Sequence, residues 1–409
     1  MEFPVQLVRE QFPALNGQTV FVDNPAGTQV PRQVVDAISS SLIRAASGPG
    51  GYFKASLEAD AVYDRAHVAM AELVGGASSR EILIGQSMTM LTFQISRSLG
   101  LRWKPGDEII VTRMDHEGNI APWLKLAEER GFTIRWLPFN RDTWRIEPSD
   151  LKALLSEKTR LLALNYASNL TGSINPITEL ATMAKSAGSL VYIDAVQFVP
   201  HGFVDVKALG CDFLACSSYK FFGPHLGVLW GRESVLADLV PYTVRCAPTE
   251  LPGRHGTGTP QTELLAGLAA TADYLVWLGE QTGTSGDRRS KLAGAYRAAT
   301  SYEMSLARQL IEGLSAIPGF EVRGITDIAH FGRRVPTVSV THKNLSSTSM
   351  ARALGERQIN VWSGHNYALE LARHLGLDES DGVLRIGLAH YNTSSEVTRV
   401  LTSLLALVA

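Results

Sequence analysis

Lys220 and Asp194 are the residues whose types and spacing point most directly to chemistry. Both lie in YIDAVQFVPHGFVDVKALGCDFLACSSYKFFGPHLGVLWGR, residues 192–232. An apolar, strand-like run ends at Asp194 and a second one ends at Ser217, with Lys220 in the loop just beyond. Ligands of open α/β sheets bind outside the carboxyl ends of strands, so the two side chains can face one pocket. A solvated surface charge is the ordinary state of a lysine; one set between SSY and FFG after an apolar strand departs from it. A lysine amine condenses with an aldehyde, and a carboxylate keeps a pyridine nitrogen protonated so that the ring accepts electrons. The pair fits pyridoxal 5′-phosphate and carbanion chemistry on an amino acid.

Other segments supply what that chemistry needs. In GQSMT, residues 85–89, a strand ends and a helix begins, so free backbone N–H groups and the helix dipole favour a phosphate there, with the Ser87 hydroxyl beside them. Arg385, in VLRIGLAHYNT, has the two-pronged geometry that clamps a carboxylate, although a lone arginine in a strand is often only a surface ion pair. Asp115, His116 and Glu117 are adjacent, and adjacent residues rarely converge on one ion, so no metal site is expected. GTGTPQ, from residue 256, lacks the third glycine and preceding strand of a dinucleotide loop. Gly85-Gln86-Ser87 resembles the start of a hydrolase nucleophile elbow, but Thr89 stands where its second glycine is required.

These residues need a scaffold, and the pattern provides one. Strand candidates EILIG, EIIVT, TRLLALNY, SLVYID, FLACS and GVLWG alternate with helical stretches such as 119–130 and 176–187. That alternation predicts an α/β fold with a mostly parallel sheet covered on both faces. Helices are expected at 260–280 and from 291 to about 316, and the tail 319–409 reads as a smaller α+β domain on which the N-terminal dozen residues dock. The glycine-rich stretch 45–56 offers Tyr52 and Phe53 as pocket aromatics.

Composition narrows the function classes. A net charge of −2 without a basic run gives no footprint for nucleic acid or an anionic membrane. No apolar stretch approaches the roughly 20 residues of a membrane helix. Three cysteines, Cys211, Cys216 and Cys246, do not make a disulfide framework and suit a reducing cytoplasm, where the protein is expected to reside.

The segment DAVQ…CDFLACSSYKFFGP resembles the class V aminotransferase family, in its cysteine desulfurase-like branch, and the likeness runs over nearly the whole chain. The resemblance implies pyridoxal phosphate, an amino-acid substrate, and a large domain with a mostly parallel seven-stranded sheet plus a smaller C-terminal α+β domain. We place the large domain at 14–286 and the small one at 1–13 and 287–409. The resemblance also implies a homodimer, with Thr259 reaching the phosphate of the neighbouring subunit. Lys220 matches the Schiff-base lysine and Asp194 the partner of the pyridine nitrogen. Gln197 and Asn169 match neighbours of the ring's phenolic oxygen, and His116 matches the ring-stacking histidine. Gln86, Ser87, Met88, Ser217 and Tyr219 are expected around the phosphate. Arg385 matches the clamp for the substrate carboxylate, with Asn169 and Trp362 also beside substrate.

One position departs from the branch. Its pattern R-T-G-H-H-C-A reads W-S-G-H-N-Y-A at 362–368, so Tyr367 replaces the sulfur-accepting cysteine and Trp362 the arginine. A phenol, with a pKa of about 10, cannot take up sulfur as a persulfide. Cys211 and Cys216 lie in or beside an apolar strand, and Cys246 lies in a loop. Lyase-type cleavage of a cysteine-like substrate without a protein persulfide is therefore expected, with Tyr367 and His365 as proton donors or pocket walls. An aminotransferase or epimerase is the alternative, and an inert relative the minor one.

Overall fold

A computed structural model describes residues 2–408. After a short first strand, β1 (Val20–Phe21), seven strands build the large sheet: β2 (Ile82–Gly85), β3 (Glu108–Thr112), β4 (Thr133–Leu137), β5 (Thr159–Asn165), β6 (Leu190–Asp194), β7 (Phe213–Ser217) and β8 (Gly227–Gly231). Their order is β2-β8-β7-β6-β5-β3-β4. Only β8 runs antiparallel to its neighbours, so the carboxyl ends of the other six share one edge. Five of those strands and β8 stand where their apolar runs predict. The exception, β4, is a sheet-edge strand whose TIRWL residues are mostly half-buried, and its apolar signal is correspondingly weak.

Side chains alternate across a strand, and here the alternation feeds two cores. Ile110, Leu162, Ile193 and Leu214 face helices Lys54–Val74, Ile177–Ser186 and Thr262–Gln281. Ile109, Leu161, Tyr192 and Phe213 face helices Met88–Gly100 and Ala121–Arg130. Continuous apolar strands follow from burial on both sides.

The second sheet contains β9 (Phe320–Val322), β10 (Thr337–His342), β12 (Trp362–Gly364) and β13 (Val383–Gly387) in the antiparallel order β12-β13-β10-β9, while β11 (Ile359–Asn360) pairs with β1. A third core, including Leu306, Leu310, Val338, Leu384 and Val400, lies under it. The helix Arg288–Ala316 joins the two regions: Leu292 and Tyr296 enter the large core, and Leu306 to Leu314 enter the small one.

The N-terminal residues touch both regions rather than the small domain alone. Arg9 donates to the Tyr391 carbonyl at 2.7 Å and pairs with Glu396 at 3.0 Å. Val8 and Phe12, however, are fully buried in the large core, because their apolar side chains fill the seam between the Lys220 loop and the helix Thr262–Gln281.

Candidate active site

The shared edge of the large sheet opens into a cleft of about 750 Å³. Five strand ends supply its wall. Helix Met88–Gly100 starts beyond β2, with Ser87 as its N-cap accepting from Met90 N–H at 3.2 Å. Gly227 on β8 permits this turn to sit close, since a β-carbon there would lie 2.2 Å from the Ser87 carbonyl carbon. His116 follows β3, Asn165 ends β5, Asp194 ends β6, and Lys220 follows β7 in a single 3₁₀ turn. From the small domain come Arg385 on β13, Trp362 on β12 and the loop carrying His365 and Tyr367.

Electrostatics set the state of these groups. Burial, reinforced by the Arg385 cation, pulls the Lys220 amine down to about 7, against the opposing pull of Asp194 and Asp23. Its Nζ donates to the Pro25 carbonyl and lies 5.0 Å above the Tyr219 ring. Burial pushes the Asp194 carboxyl up to about 6, opposed by the Val196 N–H, which it accepts at 2.9 Å, and by Lys220. His116 is held down to about 3 by burial and by the nearby Lys220 and Arg385, so its ring is neutral. Its Nδ1 accepts from Gly118 N–H at 2.9 Å, leaving Nε2 as the N–H. Behind it, Asp115 is fully buried, accepts from Asn119 at 2.7 Å, Asn165 N–H at 3.1 Å and Thr112, and is pushed up to about 8.

The small-domain loop is pinned onto this wall. The Tyr367 carbonyl accepts from Glu117 N–H at 2.8 Å, and the Asn366 carbonyl accepts from Asn169 Nδ2 at 2.7 Å. Arg113 pairs with Glu370 at 2.6 Å just beyond. The Tyr367 ring stacks on His116 with centroids 5.3 Å apart.

Thirteen of the fifteen residues expected at the site border the cleft: Ser87, Met88, His116, Asn169, Asp194, Gln197, Ser217, Tyr219, Lys220, Trp362, His365, Tyr367 and Arg385. Gln86 does not; it is exposed, because Ser87 takes the capping position and Gln86 occupies the solvent side of the turn. Thr259 is exposed in a loop outside the cleft of its own chain. Tyr52 and Phe53 also stay outside, 100% and 58% exposed ahead of helix Lys54–Val74, so neither is a pocket aromatic within one chain. Thr89, the last residue of the GQSMT segment, lines the cleft as well, and so do Pro25, Glu379 and Ser380, which the sequence does not single out. Thr89 was legible from the helix start; Pro25 reaches the site only through the turn at 23–27, which no spacing rule announces.

The cleft suits a bound group rich in oxygen and nitrogen. Asn169 Oδ1 and Arg385 Nε are buried and have no hydrogen-bond partner among the described residues, and buried polar groups rarely stay unpaired. The site combines a partly neutral lysine amine, a buried carboxylate, a helix N-terminus and an arginine fork. That donor set fits pyridoxal phosphate with an amino acid.

Known proteins agree with this architecture. The family model Aminotransferase class-V matches residues 20–400. An aminotransferase-like protein of Gibberella zeae is 34% identical over 410 residues, covering 98% of each chain. A cysteine desulfurase of Serratia proteamaculans is 31% identical over 424 residues, covering 99% of this chain and 98% of its own. Among solved structures, a cysteine desulfurase of Thermococcus onnurineus superposes with a TM-score of 0.89 at 27% identity, covering 100% of this chain and 98% of that one. The Escherichia coli cysteine desulfurase CsdA gives 0.87 at 26%, covering 100% and 99%. The chain belongs to the class-V aminotransferase family. It is a pyridoxal phosphate-dependent enzyme.

Proposed function

We propose that this enzyme is a C–S lyase acting on a cysteine-like amino acid without passing sulfur to a protein thiol. The observation that carries the reading is the absence of any cysteine from the cleft wall among the described residues: Cys211 and Cys216 are buried in the sheet region and Cys246 is exposed elsewhere. Tyr367 occupies the loop instead. Burial pushes the Cys211 thiol up to about 12 and raises Cys216 further, which keeps both as inert thiols.

Pyridoxal phosphate, when bound, supplies the electron sink for a broken bond at Cα. In this reading Lys220 holds it and then takes the Cα proton, since an amine near neutrality is poised as a base at physiological pH. Asp194 faces the ring nitrogen, and His116 covers the ring as an uncharged plane. Gln197 and Asn169 flank the phenolic oxygen. Ser87, Met88, Ser217 and Tyr219 line the phosphate end, with Thr89 added by the helix start. Arg385 orients the substrate carboxylate, and Tyr367 with His365 returns a proton to the leaving sulfur.

The same reading takes the protein as a homodimer. Thr259 then reaches the partner's phosphate site, and the exposed Leu42, Ile43, Tyr52 and Phe53 gain an apolar surface to cover them.

Holoenzyme incubated with L-cysteine tests the proposal. We expect a 2-oxo acid and ammonia in equal amounts and no alkylation-trapped persulfide on any cysteine. A persulfide, or no change in cofactor absorbance with any sulfur amino acid, contradicts it. The 34% identical aminotransferase-like relative favours a second reading, transfer of the amino group; it predicts a 2-oxo acid without ammonia and dependence on an acceptor.

A further inference from the structure

The strand pair that carries Arg385 also carries an aromatic side chain at the same level. Trp362 in β12 and Arg385 in β13 are direct cross-strand partners. Their side chains therefore leave the sheet on one face, with β-carbons about 5 Å apart. Arg385 is buried, whereas Trp362 is 51% exposed. A second exposed ring borders the same space: Tyr367, 65% exposed, stacks on His116 at 5.3 Å and meets His365 edge-on at 6.2 Å. Single exposed aromatics need no explanation, but two that converge on one cleft beside a carboxylate-binding fork mark a surface for an apolar ligand group. The cleft of about 750 Å³ takes the cofactor as well as the amino acid, and both rings stand on its small-domain wall.

A lyase that returns only a proton to the leaving sulfur treats a thiol and a thioether alike, so the two rings, and not the sulfur, set the preference. Resting on the lyase reading, we infer that the substrate is an S-substituted cysteine whose sulfur bears an aromatic or bulky apolar group, seated by Trp362 and Tyr367. Lys220 takes the Cα proton, the Cβ–S bond breaks with its electron pair on sulfur, and the leaving thiolate takes a proton from Tyr367 or His365. The three-carbon remainder is 2-aminoacrylate, which water converts to pyruvate and ammonia. The sum is one thioether amino acid and one water giving one thiol, one pyruvate and one ammonium, with no oxidant or reductant.

The test titrates holoenzyme with S-benzyl-L-cysteine, L-cysteine and L-alanine, reading cofactor absorbance, tryptophan fluorescence, free thiol and pyruvate. S-benzyl-L-cysteine is expected to bind about tenfold tighter than L-cysteine, the gain from one good aromatic contact, and to release thiol and pyruvate in equal amounts. Trp362→Ala removes the preference and Trp362→Phe restores most of it. If L-cysteine perturbs the cofactor but the benzyl compound binds no tighter, or if Trp362→Ala keeps the preference, this inference fails and the lyase reading survives. If no sulfur amino acid perturbs the cofactor, the lyase reading fails and takes the inference with it.

Discussion

Asn169 ties Arg385 to the loop that carries Tyr367. Its backbone carbonyl accepts from Arg385 Nη1 at 3.0 Å, and its side-chain Nδ2 donates to the Asn366 carbonyl at 2.7 Å. The arginine fork and the loop are thus held by one residue of the large domain, and a ligand that takes the unpaired Asn169 Oδ1 and Arg385 Nε completes the set. The loop needs holding, since Gly364, Asn366 and Tyr367 all have positive φ, at 107°, 50° and 60°. For the two non-glycine residues that conformation is unfavourable on its own.

Removing the tether is therefore expected to free the loop. In Asn169→Ala, hydrogen exchange over residues 364–368 should accelerate, and amino-acid affinity should fall about tenfold, the worth of a hydrogen bond near a charged group. Unchanged exchange and affinity would mean that the loop is held by the Glu117 and Arg113 contacts alone.

The lysine makes a prediction about pH. A folded-state pKa of about 7 means that the reactive neutral amine appears as pH rises through about 7, well below the ordinary lysine range. The rate at which apoenzyme combines with pyridoxal phosphate should rise with a midpoint near that value. Arg385→Gln removes a neighbouring cation and should move the midpoint upward. A midpoint above 9 in the wild type, or a downward shift in the variant, contradicts the stated cause.

Asp115 makes another. Burial raises its carboxyl to about 8, with the Asp194 charge adding to the effect, so between about pH 4 and 8 the folded protein holds a proton that the unfolded chain has lost. Its contribution to stability is present below about pH 4 and disappears as pH rises through about 8. Relative to Asp115→Asn, apoenzyme should lose up to about 1.4 kcal/mol per pH unit in that window in urea unfolding. Parallel pH profiles for the two proteins would refute the assignment.

A buried cluster beneath the lysine loop joins the domains. Glu303 accepts from His201 at 2.8 Å and lies 3.6 Å from His390, which in turn meets the Tyr274 hydroxyl at 2.7 Å. Burial raises the Glu303 carboxyl, but the two histidines outweigh it and hold the group below its ordinary value. Truncation of one partner in a buried charged network costs about 3–5 kcal/mol. Glu303→Ala should lose stability of that order in equilibrium unfolding; a loss under 1 kcal/mol would show the cluster to be energetically idle.

How much of this was legible beforehand follows from where each signal originates. β6 and β7 announce themselves because both faces are buried, and Asp194 and Lys220 inherit their positions from those strands. β4 is half-buried at the sheet edge and gave no comparable run. The helix start at Ser87 was readable from the order of strand and helix, yet which turn residue faces the cleft depends on the close approach of Gly227. Asp115 stood in the sequence as the neighbour of His116; its burial behind Asn165 is tertiary. Contacts that link distant segments, such as Lys220 to Pro25 and Asn169 to Asn366, leave no local trace.

Every role proposed here begins from a covalent bond at one side chain. Borohydride reduction of the yellow holoenzyme followed by peptide mass spectrometry measures it directly. One reduced pyridoxyl phosphate adduct per chain, on Lys220, is expected, with loss of the visible absorbance. An unmodified Lys220, or the adduct on any other lysine, would contradict it.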